Sequence, residues 1–208
     1  MGININPILT TTASGLFNTN SAGYTQGDAQ DDPAVKFALC GGVLAAGGGV
    51  TNGVIWAGLP IVELIPTAPS APGTNLLGSS IAYQTDGTLF TGFIVNNQAY
   101  GGVTTPQSTA PLFSEGMSVN YYRLGSGARI PVPCDPALVS IDGSTIASTV
   151  CWDAGNNWLT KYTGASGQTQ MNVRVLRIST TGNLNISYDG ITQFANWVNT
   201  GAIALILI

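Results

Sequence analysis

The chain has 208 residues, with six basic residues, ten acidic residues and no histidine, which gives a net charge of −4. This length fits one folded domain plus an extension. The basic residues are scattered, so neutralisation of nucleic-acid phosphates cannot drive binding. Without histidine, Ser-His-Asp and Cys-His catalytic pairs and imidazole zinc sites are excluded.

Charged residues are unusually rare. They make up 8% of the chain, against roughly 25% in an ordinary soluble domain. Hydrophobic residues account for an ordinary 44%, so the missing charge is replaced by small polar residues. Such a surface repels itself weakly, which favours association. We therefore expect a homodimer or homotrimer.

Residues 1–33 are polar, small and without hydrophobic periodicity. A segment of this composition cannot form a core of its own, so it is either a disordered tail or an arm that orders on a partner. In the second case Leu16, Phe17 and Tyr24 are the candidate partner-binding anchors. The acidic run at Asp28, Asp31 and Asp32 lacks an EF-hand ligand spacing and is read as a solvated turn.

Residues 34–74 are rich in glycine and proline. The apolar run Phe37–Ile65 contains seven glycines, Asn52 and Pro60, which would interrupt a membrane-spanning helix. Its glycines do not open a helical pattern, so a dinucleotide-binding loop is rejected. The following PTAPSAPG favours an extended crossover between parts of one structure.

Residues 117–163 contain four strand-like runs separated by turn signals. The first pair, Met117–Leu124 and Ala128–Pro133, flanks a glycine-containing loop and predicts a hairpin. The second pair, Ile146–Asp153 and Trp158–Tyr162, predicts another. Prolines cannot donate to a central ladder, so we expect a sheet edge or corner at Pro131, Pro133 and Pro136.

Two further hairpins are predicted outside this stretch. Ile81–Tyr83 and Thr88–Val95 bracket Asp86-Gly87, and Phe194–Val198 and Ala202–Ile208 surround an Asn-Thr-Gly loop. The final AIALILI lacks alternation and is expected to be buried on both faces. The fold class is therefore all-β, with an extended N-terminal arm (1–33) and a β-domain (34–208), whose main part is 75–208.

A search for catalytic groups returns few candidates. Turns and caps explain seven of the ten acids, which leaves Glu63, Glu115 and Asp153 as the material for a two-carboxylate glycosidase. The odd set of Cys40, Cys134 and Cys151 has no metal-like spacing and indicates buried free thiols. No secretory signal is evident at the N-terminus. We expect no enzyme activity, no cofactor and no metal.

The four tryptophans leave one alternative open. Trp56, Trp152, Trp158 and Trp197 could form a platform on which sugars stack, although large aromatic residues usually pack in a core. We favour core packing. Trp152 and Trp158 flank one turn and could pair across it.

Three parts of the sequence carry a family resemblance. The run VPCDPALVSIDGST with VCWD and WLTKYT, the segment Phe37–Gly58, and the ending FANWVNTGAIALILI resemble tailed-bacteriophage capsid cement (head decoration) proteins. Together they span most of the chain after residue 34. The resemblance implies a jelly-roll-like β-sandwich or barrel with an extended arm, bound to the outside of an icosahedral head.

The expected function follows from this resemblance. The protein would bind the major capsid protein on the outer surface of the virion, after assembly in the host cytoplasm, and stabilise the shell against internal DNA pressure. It would bind neither nucleic acid nor a membrane. The alternative is a carbohydrate-binding β-domain of a phage tail or host-recognition apparatus, and a glycosidase is the third class.

Overall fold

The structure, a computed structural model, describes residues 23–29, 35–64, 79–96, 107–141 and 149–208. Two short 3-10 helices cover Val35–Ala38 and Pro136–Ile141. The strands are β1 Leu39–Leu44, β2 Val54–Ile55, β3 Pro60–Leu64, β4 Ser79–Tyr83, β5 Gly92–Ile94, β6 Phe113–Ser114, β7 Ser118–Arg123, β8 Arg129–Cys134, β9 Val150–Asp153, β10 Trp158–Lys161, β11 Gln170–Met171, β12 Arg174–Ser179, β13 Asn185–Asp189, β14 Phe194–Val198 and β15 Ala202–Leu207. The prediction of an all-β fold is confirmed.

The strands form two main assemblies. A closed barrel has the order β1-β4-β3-β5-β7, with β1 and β4 parallel and the other neighbours antiparallel. A six-stranded sheet follows in the chain, with the order β11-β9-β10-β8-β15-β12. Two small antiparallel pairs, β13-β14 and β2-β6, complete the described part. The jelly-roll description of this arrangement stays a prediction.

The core is aromatic where the barrel meets the six-stranded sheet. Phe93 on β5 packs edge-on against Phe90 and against Trp152 of β9, with ring centroids 5.6 and 6.1 Å apart. Tyr121 and Tyr122 of β7 are also fully buried. Edge-to-face ring pairs add about 0.5–1.5 kcal/mol beyond the area that they bury. The two assemblies therefore share one hydrophobic core.

The predicted hairpin in residues 150–162 is confirmed. Strand β9 pairs antiparallel with β10, with Trp158 opposite Asp153 and Leu159 opposite Trp152. The suggested pairing of Trp152 with Trp158 is wrong, because their positions are offset in the register and Trp152 contacts Phe93. The ending is also as predicted: five of the six residues of β15 are buried.

Three predicted hairpins are wrong. Strands β7 and β8 do not pair, because β7 closes the barrel while β8 aligns along its whole length with β15. Strands β4 and β5 both pair with β3. Strand β14 pairs with β13, and β15 lies between β8 and β12. In each case the turn exists, but the strand that follows it pairs with strands further away in the sequence.

Strand β8 departs from the edge position predicted by its prolines, because it lies inside the sheet between β10 and β15. However, β8 pairs with β10 only at Cys134. Beside Pro131 the partner is instead the N–H of Gly27, which donates to the Pro131 carbonyl at 2.8 Å. A strand that lacks a continuous second ladder tolerates residues that cannot donate.

Candidate functional site

The predicted partner-binding residues fall into two groups. Leu16 and Phe17 lie outside the described residues. Tyr24 is half-buried; its N–H donates to Asn183 Oδ1 at 3.0 Å and its carbonyl accepts from Leu184 N at 2.8 Å. Its role in binding a partner stays a prediction.

The N-terminal segment, residues 23–29, lies against the folded body, although the sequence analysis assigned it to an extended arm. Thr25 forms a parallel bridge with Leu184. The Gly27 N–H donates to β8, and the Gly27 carbonyl accepts from Asn96 N at 2.8 Å, just beyond barrel strand β5. The rest of residues 1–33 lies outside the described residues, and the division into arm and β-domain stays a prediction.

Gln26 is the centre of this segment. Its side chain is 1% exposed; Nε2 donates to Ala57 O at 2.8 Å and Oε1 accepts from Ile186 N at 2.9 Å. Its main chain donates to Leu184 O and accepts from Asn96 Nδ2. The buried side-chain amide therefore joins the 57–58 turn to β13, and the main chain of the same residue adds the end of the barrel. Because buried polar groups without partners are costly, these bonds fix the segment.

Close backbone packing explains a glycine beside Gln26. Gly27 has φ +73°, and a Cβ there would lie 2.3 Å from the Ala57 Cβ. A side chain at this position would therefore be strained and would also clash. The N-terminal segment can pass over the 57–58 turn only with glycine at position 27.

A groove of about 420 Å³ opens beside Gln26. Its walls are the 155–158 turn, residues 185–188 of β13, the 200–202 loop and Trp56. The Trp56 and Tyr188 rings lie 5.3 Å apart at an angle of 35°. Of the residues that the structure describes, amide, hydroxyl and aromatic side chains line this groove, and no charged side chain does. It is a neutral site of the size that a small ligand requires.

Hydrogen bonds orient two neighbouring amides in the 155–158 turn. Asn156 Nδ2 donates to Asp153 Oδ2 at 2.7 Å, which leaves its Oδ1 as an acceptor. Asn157 Oδ1 accepts from the Tyr83 hydroxyl at 2.8 Å, which leaves its NH₂ as a donor. The Tyr83 oxygen in turn accepts from Trp152 Nε1. Burial raises the pKa of Tyr83 to about 12, so its hydroxyl stays protonated and can donate to Asn157.

Asn185 is the groove residue with an unmet hydrogen-bonding need. It is 7% exposed, and its Nδ2 donates to Thr200 O. Its Oδ1 is buried and has no donor among the described residues. The Gly201 φ of +94°, with a virtual Cβ 2.9 Å from Asn185 Nδ2, shows that the 200–202 loop closes directly on this amide.

The tryptophans are divided between core and groove. Trp56 and Trp152 are 4% and 6% exposed, as the core prediction expects, whereas Trp158 and Trp197 are half-buried. Trp56 and Trp158 line the groove. The four rings do not form one shared platform, because Trp152 faces Phe93 in the core and Trp197 lies outside the groove lining.

A second depression, between residues 85–86 and the 151–154 and 166–169 stretches, contains Asp86 and Asp153. The N–H of Thr88 lowers the pKa of Asp86, and the Asn156 amide lowers that of Asp153. Both carboxylates are held in turns by nearby N–H groups. This was expected for Asp86 but not for Asp153, which the sequence left as a glycosidase candidate. A general acid requires the opposite shift.

Glu63 is engaged in the barrel wall. Its Oε1 accepts from Arg123 Nε at 2.6 Å and from the Tyr121 hydroxyl at 2.5 Å. The Arg123 hydrogen bond, followed by that of Tyr121, lowers the pKa of Glu63 against the opposing effect of burial. These contacts link β3 and β7 across β5 and give this carboxylate a structural role.

The cysteines are free thiols, and Cys134 and Cys151 are buried as predicted, whereas Cys40 is only half-buried. Burial raises the pKa of Cys134 to about 12, and it also raises the pKa of Cys151. Within the described ranges, no three cysteine or carboxylate side chains lie close enough to hold a metal ion. In the same part of the chain, no helix has both the length and the apolar character needed to cross a membrane.

Sequence reasoning missed Gln26 and Asn185. Gln26 lies in a run without periodicity, and its partners are as far as 160 positions away. Asn185 lies in the alternating run Leu184–Tyr188 but on its polar face, where alternation does not predict burial. Turn signals indicated the 155–157 and 199–201 loops but not that they meet. Comparison with known proteins adds no further assignment, since no family model, no curated protein and no solved structure matches this chain.

Proposed function

We propose that the protein is a capsid cement protein of a tailed bacteriophage. It binds the outer surface of the assembled head and clamps neighbouring major capsid proteins against internal DNA pressure. The proposal is supported by the resemblance of residues 132–163, of Phe37–Gly58 and of the C-terminal run, and by the all-β fold.

The observation that carries the proposal is the attachment of the N-terminal segment. A clamp must transmit load from its arm to its body, and Gln26 and Gly27 are bonded to the 57–58 turn, the end of the barrel, β8 and β13. A pull on residues 1–22 would act on all of these elements at once. In this proposal the arm consists of residues 1–22, with Leu16 and Phe17 as its apolar anchors.

The surface supports binding by apolar contact. Phe37 and Ile191 are each 93% exposed, and Leu89 is 55% exposed. With few cations in the chain, contacts of this kind would carry the capsid interaction and the self-association into a homodimer or homotrimer. Salt should weaken them only modestly.

The direction in which the pKa values of four carboxyl groups are shifted supports a non-enzymatic role. The pKa is lowered by Arg123 at Glu63, by the Thr88 N–H at Asp86, by the Asn156 amide at Asp153 and by the Ile191 N–H at Asp189. A glycosidase needs one carboxyl group kept protonated by a raised pKa. These four groups favour the ionised form instead.

The test is selective binding to assembled shells. Purified protein is mixed with empty heads of a phage that encodes it, or with the dissociated major capsid protein, and the mixtures are sedimented. We expect saturable binding to heads at a fixed ratio and little binding to separated subunits. Equal binding to both, or none to heads, would contradict the proposal.

A further inference from the structure

We propose that the groove beside Gln26 binds one or two rings of an uncharged saccharide. The site lies between the 155–158 turn, the start of β13 and the 200–202 loop. This inference does not rest on capsid binding, since it concerns a groove within one chain. A cement protein with this site would present a sugar-binding surface on the particle.

The first support is the aromatic lining. Trp56, Trp158 and Tyr188 all line the groove, and the rings of Trp56 and Tyr188 are in contact. The C–H face of a sugar ring is apolar and packs on aromatic surface, while its hydroxyls point to the sides. A volume of about 420 Å³ falls within the usual size range of small-ligand pockets.

The second support is the fixed orientation of the amides. Asp153 holds one end of Asn156 and Tyr83 holds one end of Asn157, so the turn offers an acceptor and a donor side by side. Neighbouring hydroxyls of a sugar require this combination, because each hydroxyl both donates and accepts. Since protein contacts set these orientations, little conformational entropy is lost on binding.

The third support is Asn185. Its Oδ1 is a buried acceptor in the groove wall without a donor among the described residues, and the bond from Nδ2 to Thr200 fixes which end is the oxygen. This oxygen is closed off from solvent, so a ligand hydroxyl would supply the missing donor only after a shift of the 200–202 loop that closes on the amide. Satisfying a buried acceptor strengthens binding more than adding an exposed hydrogen bond does.

The absence of charge from the groove lining selects the ligand class. Phosphates, sulfates and carboxylates are bound by arginine, lysine or clustered main-chain N–H groups. No arginine or lysine lines the groove, and the protein is acidic overall. Neutral saccharides should therefore be preferred to sialylated or sulfated ones.

The test uses the isolated full-length protein. Maltose, cellobiose, lactose and chitobiose are screened at millimolar concentration by saturation-transfer NMR, with sialyllactose and a sulfated disaccharide as the anionic arm. The best ligand is then titrated. We expect at least one neutral sugar to bind. The two anionic sugars should bind more weakly or give no saturation-transfer signal.

Matched variants assign the binding to the groove. Trp158→Ala removes a ring that lines it, and Asn156→Ala removes the acceptor from the turn. Trp197→Ala is the control, because this half-buried tryptophan lies outside the groove lining. Loss of the Trp158 ring should weaken binding about tenfold, whereas the control should stay within about twofold of the parent.

Three outcomes would overturn the inference. The first is that none of the four neutral sugars shows saturation transfer. The second is that the two anionic sugars bind more tightly than the neutral ones. The third is that Asn156→Ala binds the best ligand as tightly as the parent protein does. If Trp158→Ala fails to fold, Asn156→Ala carries the assignment alone, because its side chain is in an exposed turn. Failure here would leave the binding of the protein to heads unaffected, so the two proposals can fail separately.

Discussion

Two buried amides at the same end of the molecule behave in opposite ways. Gln26 in the N-terminal segment has a protein partner for both ends of its side chain. Among the described residues, Asn185 in the adjoining groove has a partner for its nitrogen but none for its oxygen. The comparison teaches that burial alone does not assign a role to an amide. The fully bonded one joins structural elements, and the other keeps a buried acceptor without a donor among the described residues.

The largest expected effect on stability is the difference between two N-terminal truncations. Deletion of residues 1–22 keeps Gln26 and its bonds, so we expect the free energy of unfolding to change by less than about 1 kcal/mol. Deletion of residues 1–29 removes the bonds to Ala57, Pro131, Leu184 and Ile186, and several lost bonds add up to about 5 kcal/mol or more. Urea unfolding followed by tryptophan fluorescence measures both.

Equal stability of the two truncated proteins would show that the N-terminal segment does not hold the fold together. Circular dichroism of each variant checks that the comparison is made between folded proteins.

Next in size is the single substitution Gln26→Ala. It leaves Ala57 O and Ile186 N without partners in a buried site, at about 1–3 kcal/mol for each group. We expect a total loss of about 2–6 kcal/mol in the free energy of unfolding. Gln168→Ala is the matched control, since that amide accepts bonds from Thr163 in an exposed loop. A loss at Gln26 no larger than that at Gln168 would contradict the assigned role.

The matching substitution in the groove, Asn185→Ala, should lower the free energy of unfolding much less than Gln26→Ala does. It loses the bond to Thr200 O but also removes a buried acceptor for which the described part of the chain offers no donor. These effects oppose each other, so we expect a net change of about 1 kcal/mol or less. Thermal unfolding of the two alanine variants side by side compares the amides directly. A cost at Asn185 equal to that at Gln26 would remove the distinction between them.

A small effect is expected from removing the Glu63–Arg123 ion pair in the barrel wall, and this effect depends on pH. The Arg123 guanidinium lowers the pKa of Glu63, so the folded state gains stability above the ordinary value of 4.5 and loses it as pH falls through the lowered value. Because the arginine side chain is 55% exposed, Glu63→Gln should cost only about 0.5–1 kcal/mol at neutral pH.

Denaturant titrations between neutral pH and pH 3 test this expectation. The difference between Glu63→Gln and the parent should shrink as the solution becomes acidic. Glu115→Gln is the control, because Glu115 accepts its hydrogen bond from the Gly47 main chain. A difference that grows toward low pH would contradict the assigned sign.

Local sequence signals predicted strands better than they predicted partners. The β9-β10 hairpin was predictable because its two strands are close in the chain and its turn is short. The turn after β7 was equally visible, but β8 gains a six-residue ladder with β15, which no local pattern encodes. Tertiary burial decided the pairing, since a run as apolar as AIALILI needs neighbours on both sides.

The candidate site was less predictable than the fold. The aromatic residues of the groove were identified as a set, but their division between core and groove depends on long-range packing. The role of Gln26 depends on Ala57 and Ile186, which are distant in sequence. A polar residue in a polar run carries no signal for burial until its partners are known.

We propose that this protein clamps a capsid through an arm fixed to its body at Gln26. The most direct measurement is the temperature at which phage heads release DNA when they are bare, carry the full-length protein, or carry the protein lacking residues 1–22. A ligand that binds only the intact shell stabilises it by mass action. We predict the highest release temperature for the full-length protein and an intermediate one after truncation, and identical temperatures for bare and fully decorated heads would contradict the account.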